Sequence, residues 1–362
     1  MNNKVIGWVI VVVVVAGGIW YWQTKKEDNI SNNQTPIKIG VVLSLSGYGA
    51  EDGEAIKRGL DLAQEKLKEK GVDVELLYQD DATDAKQTVS ATRQLITSGV
   101  DALIGWQWSY LMQPSLPIIN ESKIVAFAPS LSYGLVAMPS EYVFYGYIST
   151  DKKTVPLTEW FKEQKIKKPA FIVNGNFPWS ESHLAVFQKA ILGAGGKEVL
   201  AEKVSFGSES SDISIIMIKA KNLGADAILW SGSYDGEIII AKRLGELNWN
   251  IPFLSDENIT VAIGKKQIPE NNMKIFTFSK ENVLAEEFKT IFKNRYNSEP
   301  LHYSDSAYDS LMILVNAIKN HGDTPLNDYI RQNTDYNGYN TKYQFNKDGD
   351  ILGGAWKVIR AR

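Results

Sequence analysis

Short β-branched apolar runs alternate with amphipathic helical stretches through this chain, and the series restarts once, which narrows the fold more than any other feature. Lys38–Leu43 (KIGVVL) reads as a strand buried on both faces. Gly53–Lys70 then sets Ile56, Leu60, Ala63 and Leu67 on one helical stripe, closed by Gly71. Strand Asp73–Tyr78, helix Asp84–Ser98 and strands Asp101–Gly105 and Ile124–Ala128 follow. The rhythm begins again at Pro169–Val173, with helix Ser180–Leu192, strand Glu198–Val204 and helix Asp212–Leu223. Strand Asp226–Trp230, helix Gly236–Gly245 and strand Ile251–Leu254 complete it. Helices Leu284–Tyr296 and Ser304–Lys319 come next. Strand-like runs at Lys342–Phe345 and Ala355–Ile359 close the chain, with an Asp348-Gly349 hairpin signal between them. The expected fold class is α/β: two doubly wound parallel-sheet lobes, one of them covered by the late helices. At 362 residues the chain exceeds the ~250–300 at which a single core divides.

Several chemistries are excluded early. The chain has no cysteine, which removes disulfides, thiolate catalysis and most structural zinc sites. A net charge of −3 offers no basic footprint for nucleic acid. Walker A, G-x-S-x-G and H-E-x-x-H motifs are all missing, and Gly47–Gly53 is one residue too long for G-x-G-x-x-G. No cofactor or metal is expected. Asp80, Asp81 and Asp84 read as a strand-to-helix turn capped by Asp84. Asn346–Asp350 opens like a calcium loop but has Lys357 where the closing glutamate belongs, so it reads as a turn. His183, His302 and His321 are scattered and read as surface or partly packed residues.

The first 26 residues stand apart. Val5–Trp22 carries no charge and is just long enough to cross a ~30 Å hydrocarbon core. Trp20, Tyr21 and Trp22 end it as an aromatic belt, and Lys25–Lys26 follow. The competing reading is a cleavable export signal, but the Trp/Tyr cluster after Ala16-Gly17-Gly18 is a poor cleavage context. Residues 1–26 are therefore expected to be an N-terminal membrane anchor, and 27–36 a flexible polar tether. Only four residues precede the span, so the working domain is expected on its C-terminal side.

In open parallel sheets ligands bind beyond the carboxyl ends of the strands. The loops there offer Trp108 and Ser109 after the third strand, and Ser130 and Ser132 after the fourth. The second half adds Trp179, Tyr234 and Glu257. Serine hydroxyls with loop amides suit the carboxylate of a zwitterion, and a glutamate suits its ammonium. Trp and Tyr walls suit an apolar side chain and attract a cation. No nucleophile is paired with a base, so the chain is not expected to be an enzyme.

Stretches IKIGVVLSLSG (Ile37–Gly47), YQDDATDAKQTVSATRQLI (Tyr78–Ile96), ALIG (Ala102–Gly105), AFAPS (Ala126–Ser130), SAYDS (Ser306–Ser310) and YQFNKDGD (Tyr343–Asp350) together resemble the leucine/isoleucine/valine-binding family of type I periplasmic binding proteins. The resemblance runs over essentially all of Ile37–Arg362. It implies a carboxylate grip at Ser109, Ser130 (through its backbone) and Ser132, aromatic closure by Trp179 and Tyr234, and an ammonium acceptor at Glu257. It departs at Asp52, which stands near the place of an aromatic residue, with Tyr48 displaced, and at bulky Trp106 and Trp108. It also implies three hinge crossings, near Tyr147–Ser149, Phe276–Ser279 and Thr341–Phe345. Lobe 1 is then 37–148 with 279–341 returning to it, and lobe 2 is 149–278 with 342–362 returning to it. The implied role is an extracytoplasmic, monomeric binding protein delivering an amino acid or analogue to an ABC importer's permease subunits. Competing readings are a ligand-sensing module that presents its closed form to a receptor, and an amidase or hydrolase on the same fold.

Residues 27–362 expressed alone are expected to be soluble and monomeric. Flotation of that truncation with lipid vesicles would contradict the single-anchor reading.

Overall fold

The computed structural model describes residues 35–132, 138–175, 178–205, 209–256, 259–269, 273–282 and 284–362. The expected N-terminal anchor, residues 1–26, lies outside them. Among the described residues no helix is long and apolar enough to cross a membrane.

The first sheet is built from β1 (Ile37–Leu43), β2 (Val74–Asp80), β3 (Ala102–Gly105), β4 (Ala126–Ala128) and β5 (Val143–Tyr145), in the order β2-β1-β3-β4-β5. β1–β3, β3–β4 and β4–β5 pair in parallel. Its central strands are buried on both faces, as continuous apolar runs require. Helices α1 (Ala50–Glu69) and α2 (Ala85–Thr97) connect them. Asp84 caps α2 as its sequence position predicts, accepting from Lys86 N and Gln87 N at 2.9 Å each. Asp80 and Asp81 are taken up by the same turn, through Leu45 N, Ser46 and Ser44 Oγ. Two short helices, α3 (Ser109–Met112) and α4 (Leu116–Ser122), lead from β3 to β4.

After α5 (Thr154–Glu163) the second sheet begins. It contains β6 (Pro169–Asn174), β7 (Leu200–Val204), β8 (Ala227–Ser231), β9 (Pro252–Ser255) and β10 (Lys274–Lys280). Helices α6 (Pro178–Gly193), α7 (Glu209–Asn222), α8 (Tyr234–Glu246) and α9 (Ile259–Gly264) alternate with its strands. Four strand pairs are parallel. Then α10 (Ala285–Tyr296), α11 (Ser304–Asn320) and α12 (Leu326–Asn333) follow, with α11 lying along α1. A two-stranded ribbon, β11 (Tyr336–Asn337) and β12 (Lys342–Tyr343), precedes the last strand, β13 (Trp356–Arg360). β13 adds antiparallel to β10, so the second sheet reads β13-β10-β9-β8-β6-β7.

One expectation needs correcting. Residues 342–362 do not return to the second sheet as a single piece. Phe345 packs edge-on against Phe127 and Phe144, and Tyr145 N donates to Gly349 O at 2.9 Å, so this hairpin lies on the first sheet. Apolar ring burial beside β4 and β5 outweighs an early crossing. Gly349 has φ +76° and its missing Cβ would meet Val143 O at 2.0 Å, which is why the turn closes on Asp348-Gly349. Only β13 crosses back, and the third crossing falls just before Trp356 rather than at Thr341–Phe345.

The three crossings are tied together. Asn340 Nδ2 donates to Gly146 O at 2.9 Å, Lys280 Nζ reaches Asn340 Oδ1 at 2.6 Å and Asp305 at 2.7 Å, and Lys152 Nζ donates to Gly353 O at 2.5 Å.

At Gly59 the backbones of α1 and α11 approach closely, since a Cβ there would sit 2.1 Å from Ser304 O. Gly59→Ala is expected to destabilise the protein by about 1–3 kcal/mol through overpacking, read as a lower urea midpoint. Gly264→Ala, which opens onto free space, should leave the midpoint in place.

Candidate functional site

Strand order reverses between β1 and β3 in the first sheet and between β6 and β8 in the second, and loops diverge at such points to leave a crevice. A cavity of about 370 Å³ lies there, walled by loops from both sheets. That volume falls in the range of roughly 300–1,000 Å³ typical of small-molecule sites.

The first wall is set by a strained turn. Gly105 has φ +153° and could not carry a Cβ, which would meet Val42 O at 2.0 Å. Trp106 follows with φ +60° and turns its fully buried ring into the core, sending Gln107, Trp108 and Ser109 to the cavity. Gln107 pins the neighbouring loop: its Oε1 accepts from Ser44 N at 3.1 Å and its Nε2 donates to Gly49 O at 3.2 Å. Ser130 Oγ donates to Gln107 O at 3.0 Å, so its hydroxyl is spent inside the wall. Ser109 differs. Among the described residues its hydroxyl makes no hydrogen bond within the protein, although Ser109 is only 3 % exposed. Trp108 Nε1 donates to Asp52 Oδ2 at 3.2 Å. Burial pushes the Asp52 carboxyl up to about 6; the Trp108 bond opposes this and Glu51 adds to it.

The second wall carries a buried polar chain. Lys153 Nζ lies 3.4 Å from His183 Nε2, His183 Nδ1 lies 2.5 Å from Ser231 Oγ, and Ser231 Oγ donates to Asp256 Oδ2 at 3.3 Å. The ends fix the direction of donation. Lys153 can only donate, so Nε2 accepts; Nδ1–H then donates to Ser231, whose proton goes to the carboxylate. A neutral His183 is required for this order. Burial, with the Lys153 charge added, holds the imidazole well below its usual pKa of 6.5. Lys153 Nζ is also 3.9 Å from Asp256 Oδ1 and 4.5 Å from the centres of both the Phe278 and Trp356 rings. Trp179, four residues before His183 on α6, stands edge-on to it at 5.8 Å.

Five of the expected site residues therefore share this cavity: Trp108, Ser109, Ser130, Trp179 and Tyr234. Ser132 does not line it. Tyr147 N donates to Leu131 O at 3.1 Å, drawing the chain against the first crossing, and Ser132 is buried there at 1 % exposure. Glu257 lies outside the described residues. Its neighbour Asp256 lines the cavity, as do Lys153, His183 and Asp52, none of which was singled out as a contact from sequence. His183 was accessible through its i, i+4 spacing from Trp179, and Asp256 through its place directly after β9. Lys153 gave no local signal. Nothing among the described residues forms a metal-ligating group.

A family model described as periplasmic binding protein matches residues 36–357. The chain is 26% identical over 294 residues to the Leu/Ile/Val-binding protein homolog 2 of Brucella abortus, across 78% of this chain and 77% of that protein. Its fold is similar to the solved leucine binding protein of Thermotoga maritima, with a TM-score of 0.76 at 21% identity over 90% of this chain and 95% of that one. It is also similar to the branched-chain amino acid transporter substrate binding protein of Streptococcus pneumoniae solved with isoleucine, with a TM-score of 0.75 at 19% identity over 90% and 100%.

Because the folded state disfavours protonated His183, unfolding takes up a proton once the pH falls below about 6.5. Stability from this group is fully present above that pH and is lost as pH drops toward the lower folded-state value. Melting temperatures are expected to decline from pH 7 to pH 5, and His183→Gln should flatten part of that slope.

Proposed function

The chain belongs to the type I periplasmic binding proteins, in the branch of the Leu/Ile/Val-binding proteins, and on that premise we propose that it captures an amino acid or amino-acid-like solute in the cleft between its two sheets. The binding domain works outside the cytoplasm, tethered by residues 1–26, and hands its ligand to the permease of an ABC importer. The observation that carries this reading is the pairing of walls. One offers the uncommitted Ser109 hydroxyl, and the other offers Asp256 with its carboxylate fixed by Ser231 and Lys153. Ser109 and the backbone at Ser130 hold the ligand carboxylate. Asp256, with Glu257 beside it, receives the ammonium. Trp108, Trp179 and Tyr234 cover the ligand and exclude water, which strengthens each charge-assisted contact.

Lobe closure explains capture and release without any bond being broken. Glu51 and Lys265 face one another across the mouth at 3.9 Å, bringing the start of α1 toward the end of α9. Ligand enclosed between the walls adds contacts to both lobes that neither makes in an open cleft, so its affinity for the closed form exceeds that for the open one.

Calorimetric titration of the full chain with free amino acids tests this directly. Ser109→Ala is expected to weaken binding by about 1.5–3 kcal/mol, the scale of a hydrogen bond to a charged group. Ser130→Ala should cost several-fold less, because its hydroxyl already serves Gln107 O. Absence of binding by every free amino acid, or unchanged affinity in Ser109→Ala, would overturn the assignment.

A further inference from the structure

The amino-acid reading leaves the ligand's side chain open, and the charges around the cavity bear on it. Glu51, Asp52, Asp235 and Asp256 all line the space. Three of them are accounted for. Asp256 lies 3.9 Å from Lys153, and Glu51 lies 3.9 Å from Lys265. Asp235 is exposed in the first turn of α8, where the helix terminus favours an anion.

Asp52 differs from these. It sits half-buried in the first turn of α1, and Trp108 Nε1 holds one of its oxygens. Among the described residues no cation and no second hydrogen-bond donor reaches the carboxylate. Two aromatic rings stand beside it, Tyr48 and Trp108, with centroids 5.7 Å apart. The upward displacement of its pKa has burial as its largest cause.

A carboxylate in this setting is poorly matched to an aliphatic side chain. Covering it with hydrocarbon removes water and supplies no donor in exchange. An ammonium or guanidinium would supply the missing donors, neutralise the charge and meet the faces of the adjacent rings.

We infer that Asp52 determines specificity in this cleft, and that the preferred solute is an α-amino acid with a cationic side chain, such as lysine, ornithine or arginine. The inference rests on the amino-acid reading above. The α-carboxylate and α-ammonium take the Ser109 and Asp256 walls, and the distal cation reaches Asp52 between Tyr48 and Trp108. Helix α1 carries this selectivity, while the second wall serves the part common to all α-amino acids.

The test is calorimetric titration of the full chain, and of its Asp52→Asn and Asp52→Leu variants, with arginine, lysine, leucine and phenylalanine. Wild type is expected to bind arginine or lysine at least tenfold more tightly than leucine. Asp52→Asn should lose about tenfold to a hundredfold for the cationic ligands, with leucine shifted less than threefold. Asp52→Leu should gain affinity for leucine, and unchanged melting curves would establish that both variants are folded. Tighter binding of leucine or phenylalanine by wild type overturns the inference and leaves the amino-acid reading standing. So does an equal loss for all ligands in Asp52→Asn. Failure of all four to bind overturns the inference, and the amino-acid reading falls with it only if every other free amino acid also fails to bind.

Discussion

One buried ammonium organises the centre of this molecule. Lys153 is 1 % exposed, and all three chain crossings meet around it: its own turn follows the first, Phe278 lies on the second and Trp356 on the third. Removing such a charge from water costs several kcal/mol and is tolerated only when partners return the loss. Two ring faces, the His183 ring nitrogen and the Asp256 carboxylate return it. The crossings are thereby packed on the same group that fixes a wall of the cavity. Asp256 is accordingly not an isolated anion awaiting a ligand. It lies 3.9 Å from Lys153, so under the proposed reading an arriving ammonium would compete with a resident one, which would moderate affinity and favour release.

Topology explains why the cavity forms where it does. Each sheet is a platform whose central strands are largely buried while its edge strands β2, β7 and β13 are partly exposed, and each reverses its strand order once. Loops at the reversals diverge and leave space, and the side chains that line it stand on those loops and on the helices that follow them. The first wall gains its precision from a glycine that no other residue could replace and from Gln107, which ties two loops together through both ends of its amide. Closure of the kind proposed would move two platforms whose faces are already set.

Periodicity made the platforms legible. Strands such as KIGVVL and PAFIV and the helical stripe of Ile56, Leu60, Ala63 and Leu67 follow from patterns that burial enforces at every residue. β5 and β10 were harder to see. Val143–Tyr145 is three residues long, and Lys274–Lys280 has charged ends around a core of IFTFS. Of the cavity's lining, Trp108, Ser109, Ser130, Trp179 and Tyr234 were readable as candidates because strand ends point to them. Ser132 was not separable from Ser130 by that logic, since both follow the same strand and only the tertiary bond from Tyr147 to Leu131 distinguishes them. Lys153 and Asp256 come together from positions far apart in sequence, and no local pattern encodes such a pair. The late hairpin was misplaced for the same reason: Phe345 is drawn to Phe127 and Phe144, more than 200 residues earlier.

The cleft mouth shows which forces can drive closure. The Glu51–Lys265 pair spans it, yet both side chains are more than half exposed, and an ion pair of that kind is worth at most about 1 kcal/mol and is screened by salt. The hinge ties, by contrast, are buried or part-buried and gather at the crossings: Asn340 to Gly146, Lys280 to Asn340 and Asp305, Lys152 to Gly353. If the lobes close on a solute as proposed, the mouth pair adds little, and the free energy of closure would come mainly from the ligand's own contacts with both walls. Under that proposal the closed shape would report occupancy, which is the property a permease partner would need to read.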